Sequence, residues 1–110
     1  AYTHMRRAMP VLVSHFLLSH AAALRRDHQR LAVARDEADA LPPGAGAVAG
    51  TGYAIDTAFL AETLGFSRVV PNSMDTSSDR DFAVSFLHAA ALAMVHLSRL
   101  AEDAIYFTAE

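Results

Sequence analysis

The sequence predicts an all-α fold in which two long helices are joined by a turn-rich segment and a short helix. Apolar residues recur at helical spacing through two long stretches, and prolines and glycines cluster between those stretches. Side chains suited to helix ends stand at the predicted boundaries. The chain has 110 residues, and this length allows at most one small domain. Of these residues 53% are hydrophobic.

The first long helix is predicted over residues 10–39, with Pro10 in its first turn. Proline suits that turn, because a backbone N–H has no partner inside the helix there. Apolar residues then fall on one helical stripe, which predicts the buried face. The stripe comprises Val13, Leu17, Ala21, Leu24 and Leu31.

A turn-rich segment follows over residues 41–52, where two prolines and four glycines interrupt any helix. Counted from Gly44, the glycines Gly44, Gly46 and Gly50 occupy the first, third and seventh places. A dinucleotide-binding loop needs glycine at the first, third and sixth places, directly after a strand. The segment is therefore interpreted as a structural turn between helices, and no nucleotide cofactor is expected.

A short connecting helix and the second long helix complete the predicted fold. Asp56 is suited to cap the short helix, which should end at Leu64 because Gly65 readily adopts the left-handed conformation that stops a helix. The second long helix is predicted to begin over residues 78–81, with Ser78 as the capping hydroxyl and carboxylates in the first turn. Its predicted buried stripe comprises Phe82, Phe86, Ala89, Ala93, Leu97, Leu100 and Ala104.

The length of these helices predicts that the chain needs partners. Each spans about thirty residues, on the order of 45 Å, whereas a compact domain of this size has a radius of gyration of only about 13 Å. Two such helices cannot cover each other, and the second is apolar nearly all round over residues 82–97. Further helices, from a longer chain or from other subunits, are expected to complete a bundle.

Membrane insertion and nucleic-acid binding are not expected. A membrane-spanning helix needs ~20 apolar residues, and Ser85, His88 and His96 interrupt the apolar stretch. The net charge of -3 offers no electrostatic case for binding phosphate backbones. No secretory pattern opens the sequence, so a cytoplasmic protein is the expectation.

Metal binding is not expected either. The chain has no Cys, and its six histidines lack a metal-ligand spacing such as His-Glu-x-x-His. His28 is expected on the solvated side of its helix. His88 and His96 are expected to be hydrogen-bonded residues of a bundle core.

His4 is the candidate catalytic residue, and Thr3 is its neighbour. An imidazole with an ordinary pKa of ~6.5 can accept or return a proton near neutral pH. A threonine hydroxyl can donate a hydrogen bond to a carboxylate. A lone histidine in a loop is more often a surface or capping residue, so the case for His4 depends on its sequence context.

Five blocks, in order along the chain, resemble argininosuccinate lyases of the fumarase/aspartase superfamily. The first is Tyr-Thr-His at residues 2–4, followed by Ala8 and Pro10. The others are Gly-Ala-Gly-Ala-x-Ala-Gly-Thr at 44–51, Leu-Gly-Phe at 64–66, Ser-Asp-Arg-Asp-Phe at 78–82 and Leu-Ser-Arg-Leu-Ala-Glu-Asp at 97–103. The resemblance covers the whole chain.

The resemblance implies β-elimination of argininosuccinate to arginine and fumarate, without a cofactor. It implies that His4 is the general acid/base and that Thr3 is a substrate-binding hydroxyl. The family's serine loop, Ser-Ser-x-Met-Pro-x-Lys-x-Asn, and the glutamate that partners the histidine are not in this sequence. Arg80 is a second-tier candidate, which either pairs with nearby Asp side chains or binds a substrate carboxylate.

The sequence is interpreted as an internal fragment, with residues 1–110 forming part of the central helical-bundle domain of a longer lyase chain. It begins without Met and ends at Glu110 without a capping residue. The resemblance implies a homotetramer whose active sites combine residues from several subunits. The isolated chain is therefore expected to be inactive.

Departures from the family pattern leave two alternatives open. Arg6 stands where Gln is usual, and Met9, Pro43 and Thr57 replace Gln, Leu and Arg. A cation beside His4 would disfavour the imidazolium and weaken its use as a base. The alternatives are another lyase of the superfamily, such as adenylosuccinate lyase, and a non-enzymatic structural protein like the lens crystallins built on the same scaffold.

Overall fold

The computed structural model describes residues 1–42 and 44–108, so the departure at Pro43 and the end of the chain at Glu110 lie outside the described residues. The fold is dominated by helices, as predicted. The helices are α1 (Val13–Ala38), α2 (Thr57–Leu64), α3 (Ser73–Ser78) and α4 (Asp81–Thr108). The strands, each of two residues, are β1 (Tyr2–Thr3), β2 (Arg6–Arg7), β3 (Ala40–Leu41) and β4 (Arg68–Val69).

The two long helices α1 and α4 pack against each other in antiparallel orientation. The rings of Phe16 and Phe107 meet edge to face with centroids 5.3 Å apart, while Asp27 in the middle of α1 contacts His96 in the middle of α4. As residue numbers rise along α1, the numbers of the facing residues fall along α4. We call this α1–α4 interface the seam.

The buried face predicted for α1 was wrong. Its predicted stripe stays exposed, with Val13 at 73% and Leu17 at 55% exposure. The seam instead uses positions that alternate four and three residues apart, the spacing of a coiled-coil interface. These buried or half-buried residues are Phe16, His20, Ala23, Asp27, Arg30 and Ala34. Hydrophobicity pointed to a face of α1 that has no partner among residues 1–42 and 44–108.

The face predicted for α4 was right in part. Ala89 is fully buried, and Ala93 and Leu100 are half-buried against α1. The remaining predicted positions, Phe82, Phe86, Leu97 and Ala104, are exposed. The molecule extends over 71 Å with a radius of gyration of 22.2 Å, so the long apolar helices cover each other on one side only.

The ends of α2 agree with the prediction. The backbone N–H of Phe59 donates to Oδ1 of Asp56 over 2.9 Å, which satisfies one of the free donors at the start of the helix. At the other end Gly65 adopts a left-handed conformation with φ 80°, which only glycine adopts at little cost.

The predicted starts of the long helices need correction. Helix α1 begins at Val13 rather than at Pro10, because Leu12 is still extended, with φ -67° and ψ 137°. Ser78 does not cap α4, because it lies in α3 and its hydroxyl donates to backbone carbonyls of that helix. Instead, Oδ1 of Asp79 accepts from the backbone N–H of Asp81, the first residue of α4, over 2.8 Å.

A clamp fastens the chain after α2 to the end of α1. Strand β3 pairs in parallel with β4. The backbone N–H of Ser67 donates to Oδ1 of Asp39 over 2.9 Å, and the Ser67 hydroxyl donates to the Asp39 carbonyl. Nη2 of Arg68 donates to the Asp36 carbonyl over 2.6 Å. Asp36 lies in the last turn of α1, and a cation is favourable at a helix C-terminus because of the helix dipole. The turn-rich segment is thereby closed into a loop.

Helix α4 is also long and apolar enough to cross a membrane, judged by length and composition alone. Its most apolar 18-residue window has a mean hydropathy of 1.4, and 6% of that window is buried within this chain. The core helix of a soluble bundle passes the same test of length and composition, and it is covered by neighbouring helices.

Candidate functional site

The Tyr-Thr-His block forms a β-hairpin, which the sequence analysis did not predict. Strands β1 and β2 pair in antiparallel orientation, with Thr3 opposite Arg6. The turn consists of His4 and Met5, which have φ 52° and φ 59°. Two successive positive φ values are typical of the tight turns that join two strands, where Asn and Gly are usual.

This turn places the imidazole of His4 at the exposed tip of the hairpin. Histidine tolerates the left-handed conformation better than most residues, but Met5 has no such preference. A residue held in such a region costs about 1–3 kcal/mol. The strain falls on the two positions that bend the chain around the candidate catalytic side chain.

The position of Arg6 relative to the candidate residues is set by the hairpin register. Residues directly opposite each other in an antiparallel pair have their side chains on the same face. Arg6 therefore shares a face with Thr3, and both are exposed. The positive charge of Arg6 therefore lies beside the hydroxyl of Thr3, the candidate substrate-binding group. His4 stands in the turn that joins the two strands.

Arg80 lies in the short connection between α3 and α4 and is exposed. Its Nη1 donates to the backbone carbonyl of Asp79. Within the described residues, the carboxylates of Asp75, Asp79 and Asp81 do not come within ion-pair distance of Arg80. The pairing considered from the sequence is not formed, and the guanidinium faces solvent in this chain.

The structure does not bring His4 and Arg80 together. The hairpin precedes the start of α1, which lies beside the end of α4, as the contact between Phe16 and Phe107 shows. Arg80 precedes the start of α4, at the other end of the helix pair. The 26 residues of α1 correspond to roughly 39 Å at ~1.5 Å per residue. The two candidates therefore lie at opposite ends of the molecule.

The glycine block forms a turn that closes on itself. Gly44, Gly46 and Gly50 all have positive φ, and the Gly50 N–H donates to the Ala45 carbonyl over 2.7 Å. A Cβ on Gly46 would lie 2.4 Å from the Gly50 carbonyl oxygen, too close for any side chain. The sequence analysis expected helices on both sides of this loop, but strand β3 directly precedes it.

A shallow cleft of about 310 Å³ separates this loop from α3. Pro42, Gly44, Ala45 and Gly46 line one side, and Thr76 and Ser77 line the other. The Ser77 hydroxyl donates to the Ser73 carbonyl over 2.7 Å, so it is already used within its own helix. The sequence analysis missed the cleft because it did not predict α3.

The histidines outside the hairpin have structural partners or face solvent. His96 is half-buried, and its Nδ1 lies 2.6 Å from Oδ2 of Asp27, which confirms the expectation of a hydrogen-bonded core residue. His28 is exposed, as expected, but His88 is exposed too. Within residues 1–42 and 44–108, no group of three or more His, Asp or Glu side chains could hold a metal ion.

A second contact between histidine and aspartate crosses the seam. Nε2 of His20 lies 3.1 Å from Oδ2 of Asp103, close enough for an ion pair, although the angle does not suit a hydrogen bond. The ring of His20 also meets the ring of Phe16 edge to face. Sequence analysis offered no signal for either histidine–aspartate pair, because their members lie far apart along the chain.

Comparison with known proteins places the chain in a family. It is 53% identical to argininosuccinate lyase of Symbiobacterium thermophilum over 97% of its length. It is 50% identical to the argininosuccinate lyases of Pelotomaculum thermopropionicum, over 97% of the chain, and of Solibacter usitatus, over 99%. The chain spans 23–24% of the length of these relatives. The sequence profile of the lyase family matches residues 1–110, and the chain therefore belongs to the lyase family.

Proposed function

We propose that this chain is part of an argininosuccinate lyase, which splits argininosuccinate into arginine and fumarate by β-elimination. Its similarity to proteins of that name over almost its whole length carries the proposal. The reaction removes a proton from the carbon next to a carboxylate, breaks a carbon–nitrogen bond and returns a proton to the leaving nitrogen. No oxidant, metal or cofactor is needed for this balance.

His4 is the proposed general acid/base. Its imidazole stands at the exposed tip of the hairpin, where a substrate can reach it, and such a group exchanges protons near neutral pH without extreme tuning. Thr3 on the adjoining strand is the proposed donor to a substrate carboxylate. The strained turn at His4 and Met5 supports this role, since strained backbone is often retained at functional sites.

The active enzyme is proposed to be a homotetramer of longer chains, in which residues 1–110 belong to the central helical bundle. The exposed apolar faces of α1 and α4 support this proposal, as does the length of the molecule. If His4 and Arg80 act at one site, they must come from different subunits, because one chain holds them at opposite ends. The isolated chain is therefore proposed to be inactive.

Helix α4 is proposed to lie inside this bundle rather than in a membrane, in a cytoplasmic enzyme. Its His96 is paired with a buried carboxylate, and Arg99, Glu102 and Asp103 follow within two turns. Charged groups are costly at the centre of a bilayer. Helices from other parts of the assembly would cover its apolar faces instead.

Fumarate release tests the proposed reaction. The full-length protein that carries this sequence is assayed with argininosuccinate and, separately, with adenylosuccinate. We expect release from argininosuccinate alone. Release from adenylosuccinate alone would identify another lyase of the superfamily, and a folded protein that releases fumarate from neither would point to a structural protein.

A further inference from the structure

The two histidine–aspartate pairs of the seam are arranged reciprocally. In one pair α1 contributes the histidine and α4 the aspartate, with His20 Nε2 3.1 Å from Asp103 Oδ2. In the other, α1 contributes the aspartate and α4 the histidine, with Asp27 Oδ2 2.6 Å from His96 Nδ1. We call these contacts the seam pairs.

The seam pairs are also one heptad apart on both helices. His20 and Asp27 are separated by seven residues along α1, and His96 and Asp103 are separated by seven along α4. Seven residues are the repeat at which a coiled-coil interface returns to the same face. A slip of α1 by one heptad along α4 would therefore keep the same faces in contact.

Apolar packing in the middle of the seam discriminates poorly between these registers. The buried apolar residues there are small, with Ala23 and Ala34 on α1 and Ala89 on α4. Side chains of equal size interlock equally well after a slip. The large aromatic contact of the seam, between Phe16 and Phe107, lies at its end, where helix termini fray most easily.

A one-heptad slip in one direction would set Asp27 opposite Asp103. Asp27 is 3% exposed, and two facing carboxylates at such a position repel each other, with Arg30 of α1 as the counter-charge they would share. A slip in the other direction would set His20 opposite His96 and leave Asp27 facing Ala89. In that register the buried carboxylate loses its imidazole partner.

We propose that the seam pairs select the register of α1 on α4, and that their four residues are thereby positioning residues for the hairpin that carries His4. The hairpin directly precedes α1, so a one-heptad slip would move it by about 10 Å along α4. The link to catalysis rests on the function proposed above, whereas the selection of register does not.

The variant D103H separates this role from simple stabilisation. It removes the pair of His20 with Asp103 and turns the Asp27–Asp103 clash of the slipped register into a pair of Asp27 with the new histidine, so each register then contains one histidine–aspartate pair. The proposal therefore predicts that D103H populates the slipped register as well. The double variant H20D/D103H restores both native pairs and should return to a single register. A purely stabilising role predicts the wild-type register in both variants.

The control E102H makes the matching change outside the seam. Glu102 is exposed on α4 and adjoins Asp103 in sequence, and its replacement by histidine alters the net charge by the same amount as D103H. H28D/E102H, at exposed positions of the same two helices, likewise matches H20D/D103H in net charge. We expect both controls to keep a single register.

The register is read as a distance between spin labels in the full-length protein. Arg35 and Ala104, which are both exposed, are replaced by labelled cysteines, and labelled chains are assembled with excess unlabelled chain. A slip that brings Asp27 to residue 103 shortens this distance by about 9 Å, for helix axes about 10 Å apart. The opposite slip lengthens it.

We expect one distance in the wild type, in the controls and in H20D/D103H, and a second, shorter distance in D103H. A single unchanged distance in the folded D103H protein would overturn the proposal. If D103H fails to fold, H20D is compared with H28D, because the opposite slip pairs the new carboxylate of H20D with His96. A second, longer distance in H20D alone is then expected, and its absence overturns the proposal equally.

Fumarate release by the same samples tests the link to His4. The loss of activity in D103H should follow the fraction of molecules with the shorter distance. Full activity despite a large slipped fraction would overturn the positioning role. An inactive wild type with a single distance would count against the proposed reaction and leave the register result intact.

Discussion

Nδ1 of His96 lies 2.6 Å from Oδ2 of Asp27, in the middle of the seam between α1 and α4. The Asp27 side chain is 4% exposed, and its other oxygen accepts from Nη1 of Arg30 over 3.1 Å. A carboxylate that is this deeply buried is stable only with such partners. The contact ties together two helices whose fully buried apolar seam residues, Ala23, Ala34 and Ala89, are all small.

Replacing Asp27 by Ala should destabilise the protein by on the order of 3 kcal/mol, because Arg30 loses its counter-charge and His96 loses its partner in the seam. The change is measured by denaturant unfolding of the full-length protein at fixed concentration. Glu62→Ala is the control, since Glu62 is exposed on α2, and surface changes usually stay within about 0.5 kcal/mol. Equal losses in both variants would contradict the importance of the buried pair.

Gly46→Ala should disrupt the glycine loop. Gly46 has φ 60°, and a Cβ there would lie 2.4 Å from the Gly50 carbonyl oxygen. We expect a loss of about 1–3 kcal/mol in the free energy of unfolding from the strained backbone. Gly52→Ala is the matched control, because a Cβ at Gly52 meets no atom within 4 Å. The prediction fails if both substitutions have the same small effect.

The clamp at Asp39 should weaken in acid. The backbone N–H of Ser67 donates to the Asp39 carboxylate and, with the Ser67 side chain, holds its pKa below the ordinary value. Its contribution to stability is therefore complete at pH values above ~3.9, the ordinary Asp pKa, and is lost as the pH falls through the lowered pKa of the folded state.

Stability measured against pH checks this sign. The difference in the free energy of unfolding between the wild type and Asp39→Asn should be constant near neutral pH and should disappear in strong acid. Ser67→Ala keeps the backbone N–H that is the main cause of the lowered pKa, so most of the acid dependence should survive in that variant. A Ser67→Ala protein that behaves like Asp39→Asn would show that the hydroxyl dominates instead.

The parts of the fold that local chemistry determines could be predicted from the sequence. Asp56 and Gly65 define α2 because a capping carboxylate and a left-handed glycine act within a few residues of their own positions. The existence of the two long helices was predictable from the helical spacing of apolar residues, but their starts were not, because Pro10 and Ser78 lie outside them. The hairpin was missed because His4 and Met5 hold positive φ values without the Asn or Gly that usually indicates such a turn.

The interface between the long helices could not be predicted in the same way. Leu17 and Leu24 are the apolar residues that periodicity selects, yet they remain exposed in this chain. A sequence shows that a helix has an apolar face, but it does not show which neighbour covers which face. The seam depends on Asp27 and His96, which lie 69 residues apart, and no local pattern connects two polar residues at that separation.

The most direct test of the central claim is the turnover of argininosuccinate by the full-length protein with His4→Ala, beside the matched variant His28→Ala. His28 is exposed on α1 and is assigned no part in the reaction. If His4 transfers protons in the elimination, turnover should fall by ~10²-fold or more in His4→Ala and stay near the wild-type value in His28→Ala. An intact assembly in which His4→Ala turns over argininosuccinate at nearly the wild-type rate would contradict the account.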